Sequence, residues 1–158
     1  MDRALFVAQF DTEETRTLLR EAGELAAGVE AELIILHVME ESEYEERAES
    51  RRAIRAIDEE LTQLGGYPLT EATDDAQRLA ERLGWDAIDH LPLEWLALGT
   101  VGREGKQILA VAEEFDADHL FVVGKRRSPS GKAIFGDLTQ QLILEFPGPV
   151  TTLIPEEA

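Results

Sequence analysis

Ala4-Leu5-Phe6-Val7-Ala8 is a nearly unbroken apolar run of strand length, the pattern of a strand buried on both faces of a parallel sheet. Asp11-Thr12 then opens a helix in which Leu18, Ala22, Leu25 and Ala26 recur at helical spacing, with Gly28 read as its C-cap. A second buried strand follows over Ala31 to Val38, so the first forty residues read as a βαβ unit. Between Glu40 and Leu93 there are two helical stripes, separated by Leu64-Gly65-Gly66-Tyr67-Pro68. One is Ile54, Ile57, Leu61 and Leu64; the other is Ala72, Ala76, Leu79, Ala80 and Leu83. Thr70 is the expected N-cap of the second helix, and Gly84 is expected to interrupt or end it. Both stripes are expected to cover the sheet or a partner subunit, while the charges from Glu40 to Arg55 read as a solvated face.

Beyond Pro92 the alternation is simpler. Trp95 to Leu98 reads as a strand, and Gly105 to Phe115 as a helix with Ile108, Leu109, Ala112 and Phe115 inward. A strand over Leu120 to Val123, a helix bearing Leu138, Leu142 and Phe146, and a last strand over Val150 to Ile154 complete the chain. Strands alternating with helices predict an α/β fold: a single doubly wound domain over 1–158, with a parallel sheet and helices on both faces. A chain of 158 residues suits one core.

Composition narrows the function. Cysteine is absent, and no uninterrupted apolar stretch approaches a membrane span, so a soluble cytoplasmic protein is expected. With 33 acidic and 15 basic residues the formal charge is −18, which opposes binding to nucleic acid. Such an excess of carboxylates also suits a salty cytoplasm, where the Debye length falls to about 3 Å at molar salt and self-repulsion is tolerated.

One segment breaks the acidic pattern. From Asp118 to Asp137 no carboxylate intervenes, yet Lys125, Arg126, Arg127 and Lys132 stand among Gly124, Gly131 and Gly136. Glycine amides and cations leaving a strand and entering a helix can surround a phosphate. In a doubly wound sheet ligands bind beyond the carboxyl ends of the strands where strand order reverses. If the first strand lies beside the fourth, that crevice holds Asp11 together with the Gly124 segment. The segment is not a Walker A loop, because six residues separate Gly124 from Gly131-Lys132 and Ala133 follows; no G-x-G-x-x-G succeeds the first strand either.

Asp137 has two readings. At a helix start it caps free amides, with Gln140 reaching back; alternatively it competes with a phosphate for those amides, at about 1 kcal/mol for like charges 4 Å apart in water. Asp11 has the same capping alternative, with Glu14 three residues on. Catalysis is unsupported: His37, His90 and His119 are scattered and form no metal pair on a helix, and Ser128 and Ser130 have no adjacent base.

These residues resemble the universal stress protein family. The likeness rests on Asp11 ending the first strand, Leu36-His37-Val38 ending the second, Ala117-Asp118 before the fourth, Gly124 to Gly136 after it, and Pro149-Val150 entering the fifth. The resemblance implies a five-stranded parallel sheet in order 3-2-1-4-5 and a homodimer through the last strand. It also implies ATP with magnesium as ligand and at most slow hydrolysis. Asp11 and the Val38 backbone would meet ribose and adenine, and Gly124, Gly136 and Asp137 would line the phosphates. Nucleotide-binding members carry G-x2-G-x9-G-[ST]. Here Arg127 takes the second glycine position, the span from Gly124 to Gly136 is one residue shorter, and Asp137 replaces the hydroxyl residue.

Two readings follow: an ATP-binding stress module, or a dimeric stress adaptor whose basic loop recognises an acidic partner or another anion. Dimerisation has its own argument, because no charge stands between Glu145 and Glu156 and an edge strand at 150–154 therefore lacks the usual protection against pairing.

Overall fold

The computed structural model describes residues 1–57, 66–124 and 135–155. Its elements are β1 (Arg3–Val7), α1 (Glu13–Gly28), β2 (Glu32–Glu40), α2 (Glu41–Ile57), α3 (Leu69–Ala87), β3 (Trp95–Gly102), α4 (Glu104–Glu114), β4 (His119–Val123), α5 (Asp137–Glu145) and β5 (Val150–Leu153). The five strands form one sheet in the order β3-β2-β1-β4-β5, and every pairing is parallel. The α/β sheet and strand order are those expected.

Strand periodicity divides the core into two layers. Ala4, Phe6, Leu33 and Ile35 face one side, packed under Leu18, Leu19 and Ala22 of α1 and Ala80 and Leu83 of α3. Leu5, Val7, Ile34 and Leu36 face the other, under Ile108 and Ala112 of α4 and Leu142 of α5. Because both faces are covered, β1 and β2 read as continuous apolar runs rather than as alternating ones.

Close approach requires glycine at Gly99 and at Gly84. A Cβ on Gly99 in β3 would lie 2.3 Å from the Gln77 backbone nitrogen and 2.4 Å from the Thr73 carbonyl oxygen, so α3 rests directly on the strand. Gly84 does not interrupt α3; it lies inside the helix, and a Cβ there would meet the Trp95 ring at 2.5 Å.

Other local expectations are corrected. Thr12, not Asp11, caps α1: its hydroxyl accepts the Thr15 N–H at 3.2 Å. Gly28 is the last residue of α1, and Glu30 makes the left-handed turn after it at φ 57°. Leu25 is exposed. Pro68 precedes α3 and Thr70 lies within it. β3 runs on to Gly102, which ends it at φ 148°. Helix α2 buries no residue, and Ile54 and Ile57 are exposed, so this part of the stripe does not cover the sheet; Leu61 and Leu64 lie outside the described residues. No described helix is long and apolar enough to cross a membrane.

Candidate functional site

The chain passes from β1 through α1 to β2 on one side of β1, then returns from β3 through α4 to β4 on the other side. Strand order therefore reverses between β1 and β4. A cleft of about 390 Å³ opens there. Phe10 and Thr12 enter it from the chain leaving β1, Glu104 from α4, Gly124 from the end of β4, and Gly136 and Asp137 from the start of α5.

The floor beside the cleft is set by where β1 stops pairing. The Ala8 N–H donates to the Leu36 carbonyl at 2.8 Å, while the Ala8 carbonyl is taken by His37 Nδ1 at 2.6 Å. The chain then turns away, and β1 supplies no backbone partner for Val38. A side chain takes its place. Gln9 Oε1 accepts the Val38 N–H at 2.9 Å, and Gln9 Nε2 donates to the Val38 carbonyl at 3.0 Å and to Glu104 Oε2 at 2.9 Å. The partners define the amide's orientation, because its oxygen faces an N–H and its nitrogen faces two acceptors.

Glu104 also meets Glu40, whose Oε1 accepts the Glu104 backbone N–H at 3.1 Å. Burial, followed by the hydrogen bond to the Glu40 side chain, pushes the Glu104 carboxyl up to about 7, while the Gln9 amide pulls the other way. Burial lowers the pKa of His37 and so favours its neutral form, consistent with a strand histidine tied to a backbone carbonyl rather than a reactive one.

The other candidate residues separate into three groups. Gly124, Gly136 and Asp137 line the cleft together. Asp137 is the first residue of α5 and not its cap; Gly136 holds the cap position, where no side chain caps the helix, and the Gln140 N–H donates to the Gly136 carbonyl at 2.9 Å. Asp11 is not among the residues lining the cleft. Its carboxylate pairs with Arg16 of α1 and lies 3.8 Å from Arg82 of α3. Arg126, Arg127, Gly131 and Lys132, with Lys125, lie outside the described residues. Among the described lining residues the charged side chains are Glu14, Glu104 and Asp137, all acidic.

Gln9 is the residue that sequence reading missed. Its signal was its place as the first polar residue after the buried run Ala4 to Ala8. A larger cavity, about 600 Å³, lies between α2 and Tyr67. Its cations are already engaged: Arg47 pairs with Glu43, and Arg51 pairs with Glu71 and stacks over the Tyr67 ring. The topological switch point is therefore the better candidate.

The family model described as the universal stress protein family matches residues 1–153. Among solved structures, a universal stress protein UspA from Lactobacillus plantarum is similar at TM-score 0.60 and 16% identity, over 96% of this chain and 97% of that one. A universal stress protein from Archaeoglobus fulgidus in complex with dAMP matches at TM-score 0.52 and 15% identity, over 96% and 97%. A universal stress protein in complex with cAMP matches at TM-score 0.51 and 18% identity, over 97% and 96%. No curated protein matches the chain significantly.

Proposed function

Because the chain belongs to the universal stress protein family, we propose that it is a nucleotide-binding stress-response module that takes an adenine nucleotide, ATP with magnesium, in the switch-point cleft. The observation that carries this reading is the link from that cleft to the end of β2: Glu104, which lines the cleft, accepts from Gln9, and Gln9 in turn bonds the backbone N–H and C=O of Val38. In this arrangement Val38 meets the base. Gly124, Gly136 and the first amides of α5 meet the phosphates, since helix N-termini favour anions. Arg126, Arg127 and Lys132 supply positive charge against Glu14, Glu104 and Asp137, and Gly131 offers a backbone amide. The complexes of similar proteins with dAMP and cAMP support a nucleotide as the ligand class.

Magnesium suits this site as a companion of the phosphates. Carboxylates are hard-cation ligands, but no group of three or more metal-ligating side chains stands together among the described residues. Nucleotide oxygens would therefore provide much of its coordination. No residue is assigned to catalysis, and hydrolysis is at most slow. Asp11, paired with Arg16 and Arg82, is left out of the site.

A second reading is a dimeric adaptor that does not bind nucleotide and uses the basic segment on an acidic partner. The acidic lining and the engaged Val38 edge favour it. Calorimetric titration with ATP and magnesium in high potassium chloride separates the two. Binding in the wild type, weakened in Lys132→Ala and strengthened in Asp137→Ser, supports the nucleotide reading. Absence of binding in both the wild type and Asp137→Ser rejects it.

The proposal includes a homodimer through β5, whose four residues are all only partly buried, and a cytoplasm rich in salt. Leu153→Lys gives monomer in sedimentation; because Leu153 also packs against the core, circular dichroism of the same sample confirms that it is folded. An unchanged dimer rejects this edge as the contact.

A further inference from the structure

The Val38 edge is already occupied by this chain. Gln9 uses its amide oxygen and both amide protons there, two of the bonds to Val38 and one to Glu104, which itself lines the cleft. A carboxamide presents an acceptor beside a donor. Adenine does the same with a ring nitrogen beside its amino group. The two are thus competitors for one backbone N–H and one backbone C=O, and both cannot hold them at once.

We infer that Gln9 is an internal stand-in for the base: it fills the Val38 edge in the free protein, Glu104 holds it there, and a nucleotide binds only by displacing it. This inference rests on the nucleotide reading of the cleft and adds to it a residue that sets affinity and base preference. The geometry favours a switchable occupant over a fixed structural brace. Gln9 sits in the segment after the last β1 rung, where neighbouring Phe10 is 65% exposed, so rotation of one side chain clears the edge without disturbing the sheet. Glu104 is the partner left behind, and its cleft position lets it accept a donor from the incoming ligand.

The apparent affinity of a site that is closed most of the time falls by the fraction open. Removing the occupant therefore raises affinity, by about tenfold if the closed form is favoured by about 1.4 kcal/mol. The test is calorimetric titration of AMP into the wild type, Gln9→Ala and Gln9→Asn, with nitrogen-15 spectra of the wild-type Gln9 side-chain amide. Asn keeps the carboxamide but ends one methylene short of Val38, so it serves if Ala impairs folding. Tighter AMP binding by the variants, together with a saturable shift of the Gln9 side-chain signals in the wild type, establishes the stand-in. Equal or weaker binding by folded variants, or unmoved Gln9 signals while AMP binds, overturns it and leaves the nucleotide reading intact. Failure of AMP to bind any of the three proteins overturns the base assignment and this inference with it.

Discussion

Replacing Glu104 by Gln removes a carboxyl group whose folded-state affinity for protons is raised, and so makes a signed prediction about pH. Burial and the neighbouring Glu40 move this group from 4.5 to about 7. Between those values the folded protein holds more protons at Glu104 than the unfolded chain does, so stability falls as pH rises. The contribution is fully present below pH 4.5 and is lost as pH passes through about 7. At about 1.36 kcal/mol for each pH unit the upper bound is about 3.4 kcal/mol. Glu104 is only partly buried, and solvent screening reduces this to about 1 to 2 kcal/mol. Urea unfolding of the wild type and Glu104→Gln, measured from pH 4.5 to 8, reads the difference directly. Groups that do not interact with Glu104 are common to both proteins and cancel, so the difference reports Glu104 together with its neighbour Glu40. The wild type should lose about 1 to 2 kcal/mol relative to the variant across this window. A gap that does not change with pH refutes the partly buried Glu40–Glu104 contact.

Three further outcomes follow from packing, capping and the sheet margin. Gly99→Ala puts a methyl group against α3 backbone 2.3 Å away, and its unfolding midpoint should drop by the equivalent of about 1 to 3 kcal/mol; an unchanged melt contradicts the close approach. Thr12→Ala removes the hydroxyl that accepts the Thr15 N–H and should cost about 1 kcal/mol in urea unfolding, with Asp11→Ala costing less; the reverse order would restore Asp11 as the cap. Asp118 accepts the backbone N–H groups of Asp2 at 2.8 Å and Arg3 at 3.4 Å. Asp118→Ala should therefore speed amide exchange at the start of β1 and leave that of α5 unchanged, and uniform acceleration across the molecule would contradict it.

How far the fold was legible follows from what each residue's role depends on. The buried runs at Ala4 to Ala8 and Ala31 to Val38 identify parallel strands because covered faces need apolar residues at every position. Their partners on the helices follow from helical spacing, as with Leu18 and Ala22 or Ile108 and Ala112. Spacing does not say whether a stripe finds a partner: Ile54 and Ile57 have the right period and are exposed. It also does not show that α3 continues through Gly84, since the missing side chain is required by the Trp95 ring, a contact distant in sequence.

The site was legible in part. Gly124, Gly136 and Asp137 meet in the cleft because the strand order brings β4 beside β1. Asp11 was expected in the crevice as the carboxylate near ribose or base, yet it is not among the lining residues and pairs with Arg16 and Arg82. Gln9 was missed because its role depends on the rung at which β1 and β2 stop pairing, which is a property of the sheet and not of the local pattern.

The central claim is that the switch-point cleft and the Val38 edge form one nucleotide site. Titration of uniformly nitrogen-15-labelled protein with ATP and magnesium in high potassium chloride tests it most directly. The account predicts saturable shifts of the backbone amides of Val38, Gly124 and residues 136–139, with a common dissociation constant. Shifts confined to Tyr67 and α2, or none at millimolar nucleotide, would contradict it.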